Sequence, residues 1–221
     1  MNEPFIRWDW IADHTDQIGE QLVEHIQLTV IAVVLGLLIS LPLGLVAYRY
    51  RRWYPPIAGV TGVLYTIPSL ALFAFLQAYT GLSTTTAEIG LVSYTLLILI
   101  RNVVSGLEGV PSDVKEAARG MGYSDRQSLW RVEIPLALPV IVAGIRIATV
   151  TTIGLVTVTA LIGKGGLGYF ILLGIRGFFP TPAFLGSVLS VALAVTVDVL
   201  LLGGQKLLTP WTRRRVAGVA A

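Results

Sequence analysis

Ala87–Leu107 reads AEIGLVSYTLLILIRNVVSGL, and whether it crosses a bilayer decides the topology of the whole chain. A hydrocarbon core of roughly 30 Å takes about 20 apolar residues in helical form. Here the apolar run stops at Arg101 and Asn102, so length alone leaves a buried core helix equally open. The stretches on either side are plainer. His25–Tyr48 and Ile57–Tyr79 precede it, the second with an internal Pro68. Leu136–Ile162 and Ala183–Leu208 follow, with Arg146 and Asp198 inside their apolar runs.

Charge placement resolves the doubtful segment. Arg49, Arg51 and Arg52 follow the first apolar run; Lys115, Arg119, Arg126 and Arg131 follow Ala87–Leu107; Arg213, Arg214 and Arg215 follow the last. Counting Ala87–Leu107 as a span puts all three basic clusters on one side, as the positive-inside rule requires. Leaving it out divides them across the membrane. Arg101 can also extend its charged head toward that same side while its stem stays apolar. The expectation is an all-α integral membrane protein with about five transmembrane helices, its N-terminus outside and its C-terminus cytoplasmic.

Composition agrees. Of 221 residues, 54% are hydrophobic and 13% charged, with a mean hydropathy of +0.75. A soluble domain carries about a quarter charged residues, so lipid is the expected solvent over much of this surface. The absence of cysteine excludes a disulfide framework and thiolate metal sites. Met1–Glu24 carries Glu3, Asp9, Asp13, Asp16, Glu20 and Glu24 against Arg7, the wrong balance for a signal peptide. The first apolar run is therefore expected to be retained. The chain divides into a polar extracytoplasmic segment (1–24), a transmembrane domain (25–208) and a basic cytoplasmic tail (209–221).

Glu108–Pro135 is the large cytoplasmic connection and the expected docking place for a cytoplasmic partner. Pro111-Ser112-Asp113 starts a helix, with Glu116 at the capping-box spacing from Asp113. The helix, about Val114–Arg119, ends at Gly120 and Gly122, which tolerate a reversing backbone. A second helix starts at Ser124, again with a capping-box residue, Gln127, and runs through Trp130 to Pro135.

Glu116-Ala117-Ala118, three residues, Gly122, nine residues, then Val132-Glu133-Ile134-Pro135 resembles the EAA loop of binding-protein-dependent ABC importer permeases. The usual ending is I-x-L-P; Val132 and Ile134 keep its branched apolar character. Glu116–Gly122, Pro135–Arg146, the run Ile162–Gly168 and Arg101-Asn102 are similar to the osmoprotectant branch, which imports glycine betaine, carnitine, choline or proline betaine. The likeness covers roughly Pro42–Asp198.

The resemblance implies a type I ABC importer permease fold in a prokaryotic cell (inner) membrane. Glu116, Ala117, Ala118, Arg119, Gly120, Met121 and Gly122 would form a coupling helix docked on a cytoplasmic ATPase, with Pro135 closing the motif. Two ATPases carrying ATP and magnesium, a second permease (identical or paralogous) and an external solute-binding protein would complete the complex. Those accessory proteins are expected on other chains, and no cofactor is expected on this one. An importer for another solute, such as an amino acid or sulfonate, shares this mechanism.

Other features are weighed on their chemistry. Gly163-Lys164-Gly165-Gly166-Leu167-Gly168 lacks the order of a Walker motif, which needs a glycine five residues before Gly163 and a hydroxyl after the lysine. A turn shaping the outer mouth or touching a binding protein fits Gly163, Lys164, Gly165, Gly166 and Gly168 better. Arg146 and Asp198 are costly in lipid; a place near the cytoplasmic surface for Arg146, a partner on a neighbouring helix for Asp198, and structural pairing generally are favoured over solute contact. Tyr65, Phe73, Phe75 and Tyr79 have the chemistry of a quaternary-ammonium cage, but aromatics in spans more commonly pack or form interfacial belts. Pro42, Pro68 and Pro139 are hinge candidates, with ordinary tolerated membrane prolines an equal alternative.

Enzyme classes fail on content: His14 and His25 are isolated, and no nucleophile elbow or paired intramembrane carboxylates occur. The basic residues track sidedness and not a nucleic-acid face. An ion-driven carrier, which works without an ATPase, would be expected to divide into inverted repeats; five spans do not.

Overall fold

The computed structural model describes residues 5–213, which are helical with short connections and contain no strand. Glu3, Arg214 and Arg215 of the charge argument lie outside them. The elements are α1 (Trp8–Asp13), α2 (Thr15–Arg49), α3 (Tyr54–Thr66), α4 (Ser69–Thr80), α5 (Thr84–Glu108), α6 (Ser112–Gly120), α7 (Asp125–Ser128), α8 (Ile134–Val156), α9 (Gly168–Arg176) and α10 (Pro180–Leu208). Four helical runs are long and apolar enough to cross a membrane, and a bent pair, α3 with α4, makes five if taken as one span.

Directions follow from glycine contacts. Gly36 packs on Thr95 and Gly44 on Val103, so α2 and α5 run parallel with their backbones close. Gly144 packs on Asn102 and Gly106 on Ala137, so α8 runs against α5. Arg146 meets Asp198 while Gln205 meets Pro139, so α10 runs against α8. The C-terminal ends of α2, α5 and α10 and the start of α8 therefore share one end, and it carries Arg49, Arg51 and the Lys115–Arg131 cluster. Because α2 and α5 are parallel, the chain between them has to return across the bundle.

That return is not the continuous span expected at Ile57–Tyr79. α3 and α4 meet at 95°. Pro68 has no N–H to give, and it forces the residue before it out of helical geometry. Ile67 accordingly takes φ −63°, ψ 127°, and its carbonyl accepts a hydrogen bond from the Tyr94 hydroxyl at 2.6 Å. Pro42 and Pro139, by contrast, sit inside α2 and α8 without ending them.

α5 is the central element, with 56% of its most apolar stretch buried against 11% for α10. One core layer joins Leu28, Ala32, Phe73, Leu91, Val156 and Ile162; another, at the basic end, joins Val103, Leu107, Ala137 and Ile141. The doubtful segment is thus both span-length and core. The fourth expected span is longer than drawn: α7, a π-helical segment (Leu129–Glu133), α8 and a 3-10 turn (Thr157–Ile162) form one run from Asp125 to Ile162. The polar start is also largely helical, since α2 begins at Thr15. Ahead of it Trp10 stacks edge-on to Phe170 and Phe179, and Arg7 donates its backbone N–H to the Thr181 hydroxyl.

Candidate functional site

The connection at the basic end is built from local capping. α6 opens with Pro111 as its N-cap and no side-chain cap, so the Asp113–Glu116 box is not formed: Ser112 and Asp113 already lie in the first turn. Proline enters a helix here because its missing N–H falls where no intrahelical bond is made. The second box does form: the Ser124 hydroxyl accepts from the Gln127 N–H and the Gln127 side chain accepts from the Ser124 N–H.

α6 ends where glycine was expected to allow it. Gly122 has φ +83°, the Tyr123 N–H bonds to the Ala118 carbonyl, and the Gly122 N–H bonds to that of Arg119. This is the paired closure of a Schellman motif, which needs a left-handed residue where glycine avoids a Cβ clash. A Cβ at Gly122 would meet nothing within 4 Å. The turn, and not a close approach inside the chain, is what glycine serves.

Glu116, Ala117, Arg119, Gly120 and Met121 face outward, whereas Ala118 is buried. Of the two alanines, Ala117 is free for a partner and Ala118 packs the loop. Met121 is 68% exposed. Pro135 is half-buried at the start of α8.

Behind this face lies a polar cluster that sequence reading did not assemble. The Lys115 ammonium donates to the Tyr48 hydroxyl at 2.9 Å and to the Leu107 carbonyl at 3.2 Å. The Tyr48 hydroxyl donates to Glu133 at 2.6 Å, and Ser128 donates to the other Glu133 oxygen at 2.9 Å. Glu133 and Ser128 are buried. Arg49 pairs with Asp125 at 2.8 Å beside them. These residues line a cavity of about 460 Å³ between α2, α6 and the lead-in to α8. A lone acid between Val132 and Ile134, just before Pro135, was the signal available in the sequence.

Within the bundle, Arg146 and Asp198 form a two-point ion pair at 2.9 and 2.8 Å, and Arg146 also donates to Gln205 at 3.2 Å. Arg101 is exposed and makes no ion pair among the described residues. The four cage aromatics do not converge: Phe73 is buried against Gly90, Tyr65 meets Tyr94, and Phe75 meets Tyr79 on an exposed face. Glu88, which the sequence reading passed over, is buried with neither carboxylate oxygen hydrogen-bonded among the described residues.

At the opposite end the glycine run is mostly interior. Gly163 (φ +76°) caps the 3-10 turn and Lys164 is partly exposed, but Gly165, Gly166 and Gly168 are buried, where a Cβ would strike Ala160, His25 and Thr157. His25 is the clasp. A carbonyl can only accept and an N–H only donate, so Nε2–H donates to Ile153 (3.0 Å) while Nδ1 accepts from the Leu167 N–H (3.3 Å). His25→Phe is expected to lower the melting temperature in detergent by several degrees, because each buried group left unpaired costs about 1–3 kcal/mol. An unchanged melting curve would show that the clasp does not hold the loop.

The described residues form a bundle of helices long and apolar enough to cross a membrane, with a capped, exposed helix hung from its basic end. Residues 26–214 match the family described as the binding-protein-dependent transport system inner membrane component, and the chain belongs to that family. It is 37% identical to a choline transport system permease protein of Bacillus subtilis, over 87% of this chain and 89% of that one. It is 36% identical to an osmoprotectant import permease protein of Salmonella typhimurium, over 91% and 96%. Among solved structures, the inward-facing MetNI methionine ABC transporter matches with a TM-score of 0.76 at 23% identity, covering 95% of this chain and 100% of that chain. The likeness is one of fold, that of the type I ABC importer permeases. Members of the family are permease subunits and not enzymes.

Proposed function

We propose that this subunit carries osmoprotectants of the quaternary-ammonium class, such as glycine betaine, carnitine or choline, across a prokaryotic cell membrane. The names of relatives 35–37% identical to this chain support that cargo. The observation that carries the mechanism is α6, exposed at Glu116, Ala117, Arg119, Gly120 and Met121, closed by Gly122 and tied behind to α2 and the lead-in of α8. In this reading Glu116, Ala117, Arg119, Gly120 and Met121 dock on one of two cytoplasmic ATPases, which hold ATP and magnesium.

The basic end then faces the cytoplasm, as the positive-inside rule favours, with the N-terminal segment outside and the 209–221 tail inside. The permease works as half of a pair with an identical or paralogous copy, and an external binding protein delivers the solute. Lys164 and Gly163, at the opposite end from the docking loop, are the part of the glycine run left open to such a protein.

The test is uptake of labelled glycine betaine by proteoliposomes holding the complex, with binding protein outside and ATP inside. Uptake that disappears without ATP or without binding protein is the expected result. No betaine uptake, with ATP hydrolysis still coupled to the complex, would discard the cargo and leave an importer of another solute. Uptake persisting without the ATPase would discard the importer reading.

A further inference from the structure

The loop that docks and the helices that must move are joined by the chain and by side chains. The chain leaves α6 both ways, back through Gly109–Pro111 into α5 and on through Gly122–Ser124 into the run that becomes α8. The side-chain link is the polar relay Lys115–Tyr48–Glu133, which ties α6 to α2, with which it shares no direct chain connection, and to the lead-in of α8. We infer that this relay is the joint through which displacement of α6 reaches α2 and α8, with Tyr48 and Glu133 as positioning residues; the inference rests on the docking role proposed for α6.

Three observations carry it. The relay is ordered in one direction: the ammonium donates to the Tyr48 oxygen, whose own proton goes to Glu133, so each bond polarises the next. It is sheltered, since Glu133 is 8% exposed and has both oxygens occupied, by Tyr48 and by Ser128. A partly satisfied version would leave a buried charge, so the cluster favours whole alternative arrangements over gradual stretching. It also ends on the π-helical segment Leu129–Glu133, where the hydrogen-bond ladder of an otherwise α-helical run is already offset; such segments frequently mark functional positions. Sequence distance explains why no motif displays it: Tyr48 lies 67 positions from Lys115 and 85 from Glu133.

Tyr48→Phe removes the bridging oxygen and keeps the ring. In proteoliposomes containing the whole complex, this variant is expected to retain ATPase co-purification and most ATP hydrolysis. Solute imported per ATP should fall by about tenfold, the size of a mid-range pairwise coupling. Lys115→Met, whose side chain is half-buried, should do the same, and the double variant should be no worse than the worse single one. Arg51→Ala, which breaks only the exposed pair with Glu108, should leave import per ATP unchanged.

An unchanged ratio in Tyr48→Phe with the ATPase bound, or losses that add in the double variant, would overturn the inference. If Tyr48→Phe fails to accumulate in the membrane, Lys115→Met alone decides between the same two outcomes. Failure of the unaltered complex to bind an ATPase would overturn the docking reading instead, and that control is read separately.

Discussion

A complex carrying Gly122→Trp is expected to insert normally and to lose its ATPase, so that uptake falls to background. Gly122 holds φ +83°, and an L-residue in that region costs roughly 1–2 kcal/mol. The Schellman closure it supports is what ends α6 and fixes the outward face of Glu116–Met121. Nothing in the chain lies within 4 Å of the added Cβ, so the indole projects into open space beside that face and the bundle is not disturbed. Gly122→Ala separates the two causes: it keeps the backbone penalty and removes the bulk, and should weaken docking without abolishing it. Co-purification of the ATPase with the tryptophan variant at the normal ratio would remove α6 from the docking role.

Asp198→Ala is expected to reduce sharply the folded protein recovered from membranes. Its carboxylate takes both Nε and Nη2 of Arg146, and it lies midway along α10. Removing it leaves a partly buried guanidinium between two apolar helices with Gln205 as its remaining side-chain partner. An intramembrane charge whose partner is gone is far costlier than a matched pair. Arg146→Met together with Asp198→Leu should restore folded yield, because two apolar residues replace two charges and leave neither unpaired. Recovered folding with lost transport in that double variant would give the pair a part in the transport cycle. Full yield from Asp198→Ala alone would show that the pair does not hold α8 to α10.

Both experiments touch residues visible in the sequence, yet the reasons differ in kind. The apolar runs, the shared basic end, the Ser124–Gln127 box and the glycine that ends α6 depend on contacts within one or two helical turns. Residue order determines such contacts directly, so they were legible. Gly165, Gly166 and Gly168 were legible as a turn, but their burial under His25, Ala160 and Thr157 was not.

Pro42, Pro68 and Pro139 show the boundary most clearly. Each lacks the same N–H, yet only Pro68 breaks its helix, where Tyr94 of α5 accepts the role of donor to the carbonyl at the bend. Glu133 looked like a spacer within a motif, and became the centre of a cluster because Tyr48 and Ser128 converge on it. Asp113 and Glu116 had capping spacing, but Pro111 took the cap position first. The sequence by itself determined a membrane-spanning helical subunit with a capped helical loop at its basic end, since hydropathy, charge and capping act locally. Only the tertiary structure decided which polar side chains are paired, which proline bends and which alanine faces out, because those outcomes depend on groups that packing brings together from distant parts of the chain.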